Sequence, residues 1–544
     1  AVLALVDGSV PAACLLRLAR CTVELLQVRG VAEEVGARGV GATYVNVARA
    51  LFQLSKDAGN DATFREENLL EPLLLMLGGA ADALPGCADV PPELRVFVVG
   101  VLKNVSIDEE NQRLLVRRGA LPALLGLLRP GPGTAQGAQA AHLFVQVTAL
   151  LRNLAGSPRR QRQLVDLGAL DVLAAVSAAH MPHVELQVNV ARVFAKLTQG
   201  DAAHQALEGD ASPLHQVVRC LREHAAHAAL VLRLAFALGN LTASSEVLRR
   251  TLTFECDLAG LLPALLALYW QQDRALAQAH AQEAEGALVK LIRLAANVTI
   301  DPAVGTLVAS EAAVVEPLLA VLSCKGIQDS EELVLSTIAA LTNLLFYDSP
   351  SSVLFTAENK ELLCRALGPI IVESYNVEAL VEAARAVGNL SRHADARRWI
   401  GELRLDEALS IFLAHGDRDL VFYACGALVN MAADREAGVR LCRGGGLRSK
   451  VASVLRGAPA ADIELLLVGV KVLSNLRLGG DGDEPWADDA LRDVRAGVRR
   501  ALEILGGPAP RNIGASLASG LADGARRAPS LALDALKLVA AAAA

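Results

Sequence analysis

The sequence predicts an all-α protein, a solenoid of tandem helical repeats, from three observations. A short motif centred on Asn recurs through most of the 544 residues. Apolar residues around it fall at the helical spacing of i, i+3, i+4 and i+7. Aromatic residues make up only 3% of the chain, so the core must consist mainly of small aliphatic side chains. Such a core suits helices packed closely against helices.

The recurrent motif is a small or apolar residue, Asn, Leu or Val, and then a small residue. Ten copies follow one another at intervals of 41 to 57 residues, close to the period of about 40–47 residues of known helical repeats. Two copies are degenerate, with Gln53 in LFQLS and Lys196 in FAKLT. The other eight carry the asparagines that we call the amide ladder: Asn104, Asn153, Asn240, Asn297, Asn343, Asn389, Asn430 and Asn475.

A second motif precedes the first and predicts a helix of its own, as in LPALL at 121–125. Leu121, Leu124, Leu125 and Leu128 form a one-sided apolar stripe. Proline is expected near the start of these helices, where its missing N–H matters least. The prolines concerned are Pro72, Pro122, Pro263 and Pro317.

The motif itself lies on another helix. Asn343 is two residues from Leu341, about 200° around the helix, so it is expected to face away from the apolar stripe. That stripe comprises Val334, Ile338, Leu341 and Leu345. Each repeat is therefore predicted to contain two long helices and a shorter leading one. Such units must stack on their neighbours to bury their apolar faces.

We predict three regions along the chain. Residues 1–477 form the solenoid, 478–490 form an acidic Gly-rich linker, and 491–544 form a helical cap and a low-complexity tail. Within the solenoid, 131–139 is expected to be a Gly/Pro-rich loop and 271–286 a polar helical extension. Gly444–Gly446 is expected to end a helix in the left-handed conformation. The chain begins with Ala, which predicts that it is a trimmed piece of a longer protein.

Composition argues against several classes of function. The net charge of −7 disfavours overall affinity for nucleic acid or anionic membranes. No apolar stretch reaches the about 20 residues that a membrane span needs. Nine cysteines without a C-x-x-C pair predict reduced, buried thiols rather than a zinc or redox site.

Catalytic and metal-binding patterns are equally poor. The pairs His180/His183 and His224/His227 lack a third ligand nearby, and the acidic DGDEP segment lacks the final carboxylate of a calcium loop. The sequence therefore predicts no metal, no cofactor, no small-molecule substrate and no enzymatic activity.

The amide ladder is the candidate site. An Asn side chain has a donor and an acceptor, so a row of them can pair with the backbone of an extended peptide. Alternatively, each Asn ties adjacent helices together within the array, and the sequence leaves both interpretations open. Basic residues beside the ladder could attract an acidic partner or form an ordinary solvated face. These residues are Lys103, Arg152, Arg293, Arg385 and Lys471.

With these motifs the sequence resembles the armadillo-repeat superfamily, whose third helix carries an inward-facing Asn. The resemblance implies a right-handed α-solenoid of about ten armadillo-type repeats and a protein-binding groove. Importin-type members add a Trp one turn before the Asn. No Trp occupies the matching positions, so a nuclear-signal receptor is not expected. Those positions are Gly100, Ala149, Phe236, Arg293, Ala339, Arg385, Gly426 and Lys471.

Segments at 50–70, 341–355, 381–397, 422–447 and 485–505 resemble a ciliary family within this superfamily. That resemblance implies a scaffold or cargo adaptor, in the cytoplasm and cilium, that links radial spoke complexes to intraflagellar transport during axoneme assembly. One alternative is a permanent axonemal component at a spoke base. Another is an armadillo-type regulator of a GTPase.

Overall fold

The computed structural model describes residues 11–26, 29–77, 91–129, 138–275, 278–347, 349–459, 461–476, 492 and 496. Within these ranges the chain forms helices and turns and no strand, as predicted. The chain divides into two compact units, one up to Val298 and one from Thr299.

The first unit contains seventeen described helices, a 3₁₀ turn at Ala58–Asn60 and a π-helical turn at Thr251–Glu255. The helices are α1 (Ala12–Leu26), α2 (Arg29–Leu54), α3 (Asp61–Glu66), α4 (Leu70–Leu77), α5 (Pro92–Val105), α6 (Glu109–Arg117), α7 (Ala120–Leu128), α8 (Ala138–Leu154), α9 (Pro158–Asp166), α10 (Ala169–Ala179), α11 (Val184–Leu197), α12 (Asp201–Gly209), α13 (Ser212–Glu223), α14 (Ala228–Ser244), α15 (Glu246–Arg250), α16 (Leu258–Ala275) and α17 (Gln278–Val298).

The second unit contains eleven described helices and a 3₁₀ turn at Val353–Phe355. The helices are α18 (Pro302–Ala309), α19 (Ala312–Cys324), α20 (Glu331–Phe346), α21 (Ala357–Glu373), α22 (Val377–Leu390), α23 (Ala394–Glu402), α24 (Leu405–Phe412), α25 (Arg418–Ala433), α26 (Arg435–Gly445), α27 (Leu447–Gly457) and α28 (Ile463–Asn475).

The recurrent motif lies on the third helix of each repeat, and we call these ten helices the ladder helices. They are α2, α5, α8, α11, α14 and α17 in the first unit and α20, α22, α25 and α28 in the second. In each unit, every ladder helix packs against the next one and against the second helix of its own repeat. The predicted stack of helical repeats is therefore confirmed within each unit.

The predicted apolar stripes form the core. Leu124 is fully buried and Leu121, Leu125 and Leu128 are nearly so. The stripe on α20, from Val334 to Leu345, is buried in the same way. Leu, Val and Ala supply most of the other buried side chains, which allows the close helix packing that the low aromatic content predicts.

Two of the four prolines do not lie where we predicted. Pro263 and Pro317 are in the interior of α16 and α19 rather than at their first turns. The added turn of each helix buries apolar residues, including Leu258 and Val314. Burial of these side chains offsets the hydrogen bond that each proline removes.

In several repeats, one residue in the turn between the first and second helices has the left-handed backbone conformation. Gly119, Gly168 and Gly446 have φ values of 85°, 77° and 58° at this turn, and Gly446 confirms the predicted helix stop. Asn68, Asp257 and Arg404 occupy the equivalent turns of other repeats, at φ values of 52°, 58° and 56°.

Glycine at position 404 is expected to stabilise the second unit. A residue with a Cβ is strained at positive φ, so Arg404→Gly should raise the free energy of unfolding by up to about 1 kcal/mol. The converse change, Gly446→Ala, should lower it by a similar amount. Thermal unfolding of both variants checks this, and a fall in the midpoint for Arg404→Gly would contradict it.

Several predicted segments fall partly or wholly outside the described residues. Residues 478–490 lie outside them, as do 491–544 apart from 492 and 496. Most of the 131–139 loop also lies outside, and α8 begins at Ala138. Residues 276 and 277 lie outside the described residues, and the rest of the polar extension at 271–286 lengthens α16 and α17, as predicted.

Cys87 and the side chain of Cys442 lie outside what the structure describes; of the other seven cysteines, the prediction of buried thiols is right for four and wrong for three. Cys220, Cys256, Cys364 and Cys425 are buried, whereas Cys14, Cys21 and Cys324 are exposed because they lie on the outer faces of their helices or at a helix end. Burial raises the pKa of Cys220 and Cys256 to about 11, which keeps these thiols protonated and unreactive.

Asp61 makes the stability of the first unit depend on pH. Burial, and then the charges of Asp108 and Asp57, raise the pKa of Asp61 to about 6, and its Oδ1 is buried without a described hydrogen-bond partner. A raised carboxyl pKa means that the folded state binds the proton more tightly. Stability should therefore rise as pH falls from about 6 to about 4.

Asp61→Asn is expected to stabilise the first unit by about 1–2 kcal/mol at neutral pH and to remove this dependence. Denaturant unfolding at several pH values checks the expectation, with the exposed Asp166→Asn as control. An unchanged pH profile in Asp61→Asn would contradict it.

Candidate partner-binding face

The eight asparagines of the amide ladder lie near the carboxyl ends of the ladder helices, and all are half-buried. Their position follows from helix geometry, since the neighbouring Leu residues point into the core and turn Asn towards the preceding ladder helix. The amides are thus aligned repeat by repeat within each unit.

The side-chain amides of seven ladder asparagines donate hydrogen bonds across the junctions between repeats. Each Nδ2 donates to the end of the preceding ladder helix, either to a backbone carbonyl oxygen or to a hydroxyl. The bonds are Asn104 to Ser55 Oγ (3.0 Å), Asn153 to Ser106 Oγ (3.0 Å) and Lys103 O (3.2 Å), Asn240 to Thr198 Oγ1 (3.2 Å) and Ala195 O (3.4 Å), Asn297 to Gly239 O (2.9 Å), Asn389 to Thr342 O (3.0 Å), Asn430 to Ser391 Oγ (3.0 Å) and Gly388 O (3.4 Å), and Asn475 to Val429 O (2.8 Å).

These bonds explain the hydroxyl that often stands two residues after the motif position. Ser55, Ser106, Thr198 and Ser391 each accept the amide of the following repeat. The asparagines therefore tie adjacent repeats, as one of the two interpretations expected. Asn343 occupies the equivalent position on α20. A direct role of the ladder in partner binding stays a prediction.

The predicted basic residues have different surroundings. Arg385 pairs with Glu382 at 2.6 Å and lies over the ring of Tyr423, so its charge is already engaged. Arg293 is exposed on α17, and Lys471 is half-buried on α28.

In contrast to Arg385, which is paired with a carboxylate, Lys103 and Arg152 lie close to other cations. Burial and the nearby Arg152 lower the pKa of the Lys103 ammonium. Burial, and then Arg192 and Arg233, lower the pKa of the Arg152 guanidinium. Sequence reasoning did not select Arg192 and Arg233 as site residues. They occupy the turns one and two before the motif position, a spacing that could have revealed them.

The histidine pairs take part in local packing. The His180 ring stands edge-on to Phe144, with ring centroids 5.3 Å apart. His183 Nδ1 accepts a hydrogen bond from the Leu186 backbone N–H, and His224 Nε2 bonds to Met181 O at 2.8 Å. No group of three or more potential metal ligands occurs among the described residues.

In the part of the chain that the structure describes, no single helix is long and apolar enough to cross a membrane. Two pairs of helices reach that length and composition only when both members of a sharply bent pair are taken together.

Comparison with known proteins finds relatives from several mammals that share one name. The chain is 33% identical over 446 residues to armadillo repeat-containing protein 2 of Mus musculus. It is 30% identical to the protein of that name from Bos taurus and 28% identical to that from Homo sapiens. The mouse match covers 80% of this chain and 51% of the relative. The chain therefore spans about half the length of the curated relatives it matches.

Solved structures with helical repeats also superpose on the chain. One, from a study of a phosphorylation switch that controls the interaction between cadherin and β-catenin, gives a TM-score of 0.66 at 15% identity. It covers 99% of this chain and 98% of its own. The chain has the armadillo-repeat fold.

A second solved structure supports the same fold. An engineered protein gives a TM-score of 0.61 at 18% identity and covers 85% of this chain and 99% of its own. No protein-family model matches the chain. The armadillo fold and the names of the relatives support a protein-binding scaffold.

Proposed function

We propose that this armadillo array is a non-enzymatic scaffold in motile cilia that links radial spoke complexes to intraflagellar transport during axoneme assembly. The observation that carries the proposal is the 33% identity to armadillo repeat-containing protein 2 over 80% of the chain. The ciliary role is what the sequence segments at 341–355 and 422–447 imply by resemblance. Both segments lie in the second unit.

The fold supports a function in which the protein binds other proteins rather than catalyses a reaction. Ladder helices present a row of half-buried amides with basic side chains beside them, which suits an extended segment of another protein. Nδ2 of seven asparagines is occupied by ties between repeats. In our proposal the partner therefore contacts the ladder through the amide oxygens and the neighbouring side chains.

Deletion of the gene in a ciliated organism that carries it tests the proposal. We expect short or paralysed cilia whose axonemes lack radial spokes in electron micrographs, and rescue by the wild-type gene. Normal spokes in the null strain would contradict the proposal.

Fractionation separates an adaptor from a permanent axonemal component. An adaptor should be found mostly in the cell body and in the soluble fraction of cilia. Retention with salt-washed axonemes would instead favour a permanent subunit at the spoke base. Nucleotide-release assays with purified protein test the GTPase-regulator alternative, for which we expect no acceleration.

A further inference from the structure

The amide ladder has an interruption between α8 and α11. In several other repeats an Asn amide meets a hydroxyl on the preceding ladder helix. Here Lys196 stands in place of the Asn, and Ala155 stands in place of the Ser or Thr. Both halves of the tie are therefore missing at one junction, and Lys196 makes no hydrogen bond to α8 among the described contacts.

A cleft of about 490 Å³ lies beside this junction, lined by residues at the ends of α5 and α8, by residues of α6 and α9, and by Lys196 of α11. Arg160 is held in place by Gln112 Oε1 at 2.6 Å, and Glu109 at the rim pairs with Arg113 at 2.6 Å. The polar groups that line the cleft include Ser106, Gln112, Arg152, Asn153, Arg160 and Lys196.

Apart from Glu109, which is paired with Arg113, the charged residues that line the cleft are the cations Arg152, Arg160 and Lys196. Arg192 and Arg233, on the next two ladder helices, lie close enough to Arg152 to lower the pKa of its guanidinium, after the larger effect of burial. Arg152 donates to the neutral Asn153 Oδ1 at 3.2 Å. Among the described residues, no carboxylate forms an ion pair with Arg152, Arg192, Arg233, Lys103 or Lys196.

This basic character is specific to the first unit. We compare windows of twelve residues that end one position after the motif position. The five windows from α5 to α17 (94–105, 143–154, 186–197, 230–241, 287–298) contain eight Lys or Arg and no Asp or Glu. The four windows of the second unit (333–344, 379–390, 420–431, 465–476) contain two Lys or Arg and one Glu. The first unit thus concentrates cations on its ladder helices although the whole chain is acidic.

We propose that the cleft at Lys196, with the cations of α5, α8, α11 and α14 around it, is a docking site for an acidic segment of a partner protein. Carboxylates in the cleft would neutralise side chains that now repel one another. A short acidic segment would meet mainly these local cations, whereas an extended nucleic acid would also meet the rest of a chain whose net charge is −7. The inference rests on the proposed function in that it assigns a partner chemistry to the same face.

Fluorescence anisotropy with the purified chain tests this site. The probe is a labelled peptide rich in Asp and Glu, and its control has Asn and Gln at the same positions. We expect the acidic peptide alone to bind. The triple variant Arg152→Gln, Lys196→Gln, Arg233→Gln should weaken binding by about tenfold or more, because three cations are lost from one site.

A matched variant separates the local cluster from the net charge. Arg159→Gln, Arg162→Gln and Arg219→Gln remove three exposed cations from the first and second helices, with the same change in total charge. This variant should bind the peptide within about twofold of the wild type. Equal binding by the cleft variant and the wild type, or equal loss in both variants, would overturn the proposal.

A second variant rebuilds the missing tie. Ala155→Ser with Lys196→Asn restores both halves of the ladder bond, so the thermal midpoint should rise while the acidic peptide binds more weakly. Unchanged peptide binding in this folded variant would also overturn the proposal. So would tighter binding of a single-stranded oligonucleotide that depends on the same cations. These results leave the ciliary proposal standing, because the null strain tests that proposal separately.

Discussion

Replacing Arg440 with alanine is expected to lower the stability of the second unit by about 3–5 kcal/mol, because it leaves a buried carboxylate without its partner. The Asp406 side chain is fully buried, and the Arg440 guanidinium donates to its Oδ2. Asp406 lies on α24 and Arg440 on α26 of the next repeat, so the ion pair links two neighbouring repeats.

Urea unfolding measures the effect, and a double-mutant cycle assigns it to the pair. Asp406→Leu combined with Arg440→Ala should be less destabilising than Arg440→Ala alone, because no charge then stays buried. The control is Arg398→Ala, which removes an exposed partner of Glu402 and should change stability by less than about 0.5 kcal/mol. Equal stabilities of the Arg440 and Arg398 variants would contradict the expectation.

Removing two adjacent ladder amides should also destabilise the second unit, by about 2–3 kcal/mol. Asn389 donates to Thr342 O, and Asn430 donates to Ser391 Oγ and more weakly to Gly388 O. Asn389→Ala with Asn430→Ala therefore removes the ties across two consecutive junctions. The acceptors at both junctions lose a partner in a half-buried position.

Circular dichroism during urea unfolding measures this loss, and Gln328→Ala, which removes an exposed amide in the same unit, is the control. If the double variant unfolds at the same urea concentration as the control, the asparagines do not tie the repeats. Partner binding by the folded variant then reports separately on any direct role of the amides.

The repeat pattern and the helix faces could be predicted because they depend on local information. The spacing of the motif gave all ten ladder helices, and the stripe on α20 is buried as its 3.6-residue period predicts. One repeat departs from the pattern: the 3₁₀ turn Val353–Phe355 stands before the long α21, where a separate first helix was expected. No local signal in that segment distinguishes the two arrangements.

The site could be predicted only in part, because its contacts join residues about one repeat apart. The sequence marks Asn153, but only the packed helices show that its amide reaches Ser106 rather than solvent. Likewise, Lys196 is visible as a degenerate motif. Its meaning depends on Ala155 in the preceding repeat and on the cations that the fold brings beside it.

Site-specific photo-crosslinking tests directly whether partners bind along the ladder helices of this armadillo array. A crosslinking amino acid is placed at Arg233 or Lys471 on ladder helices, and at Arg219 or Ile411 on second helices, in the chain expressed in ciliated cells. We expect partner crosslinks from the ladder positions and few from the second-helix positions. Crosslinks from the second-helix positions alone would contradict it.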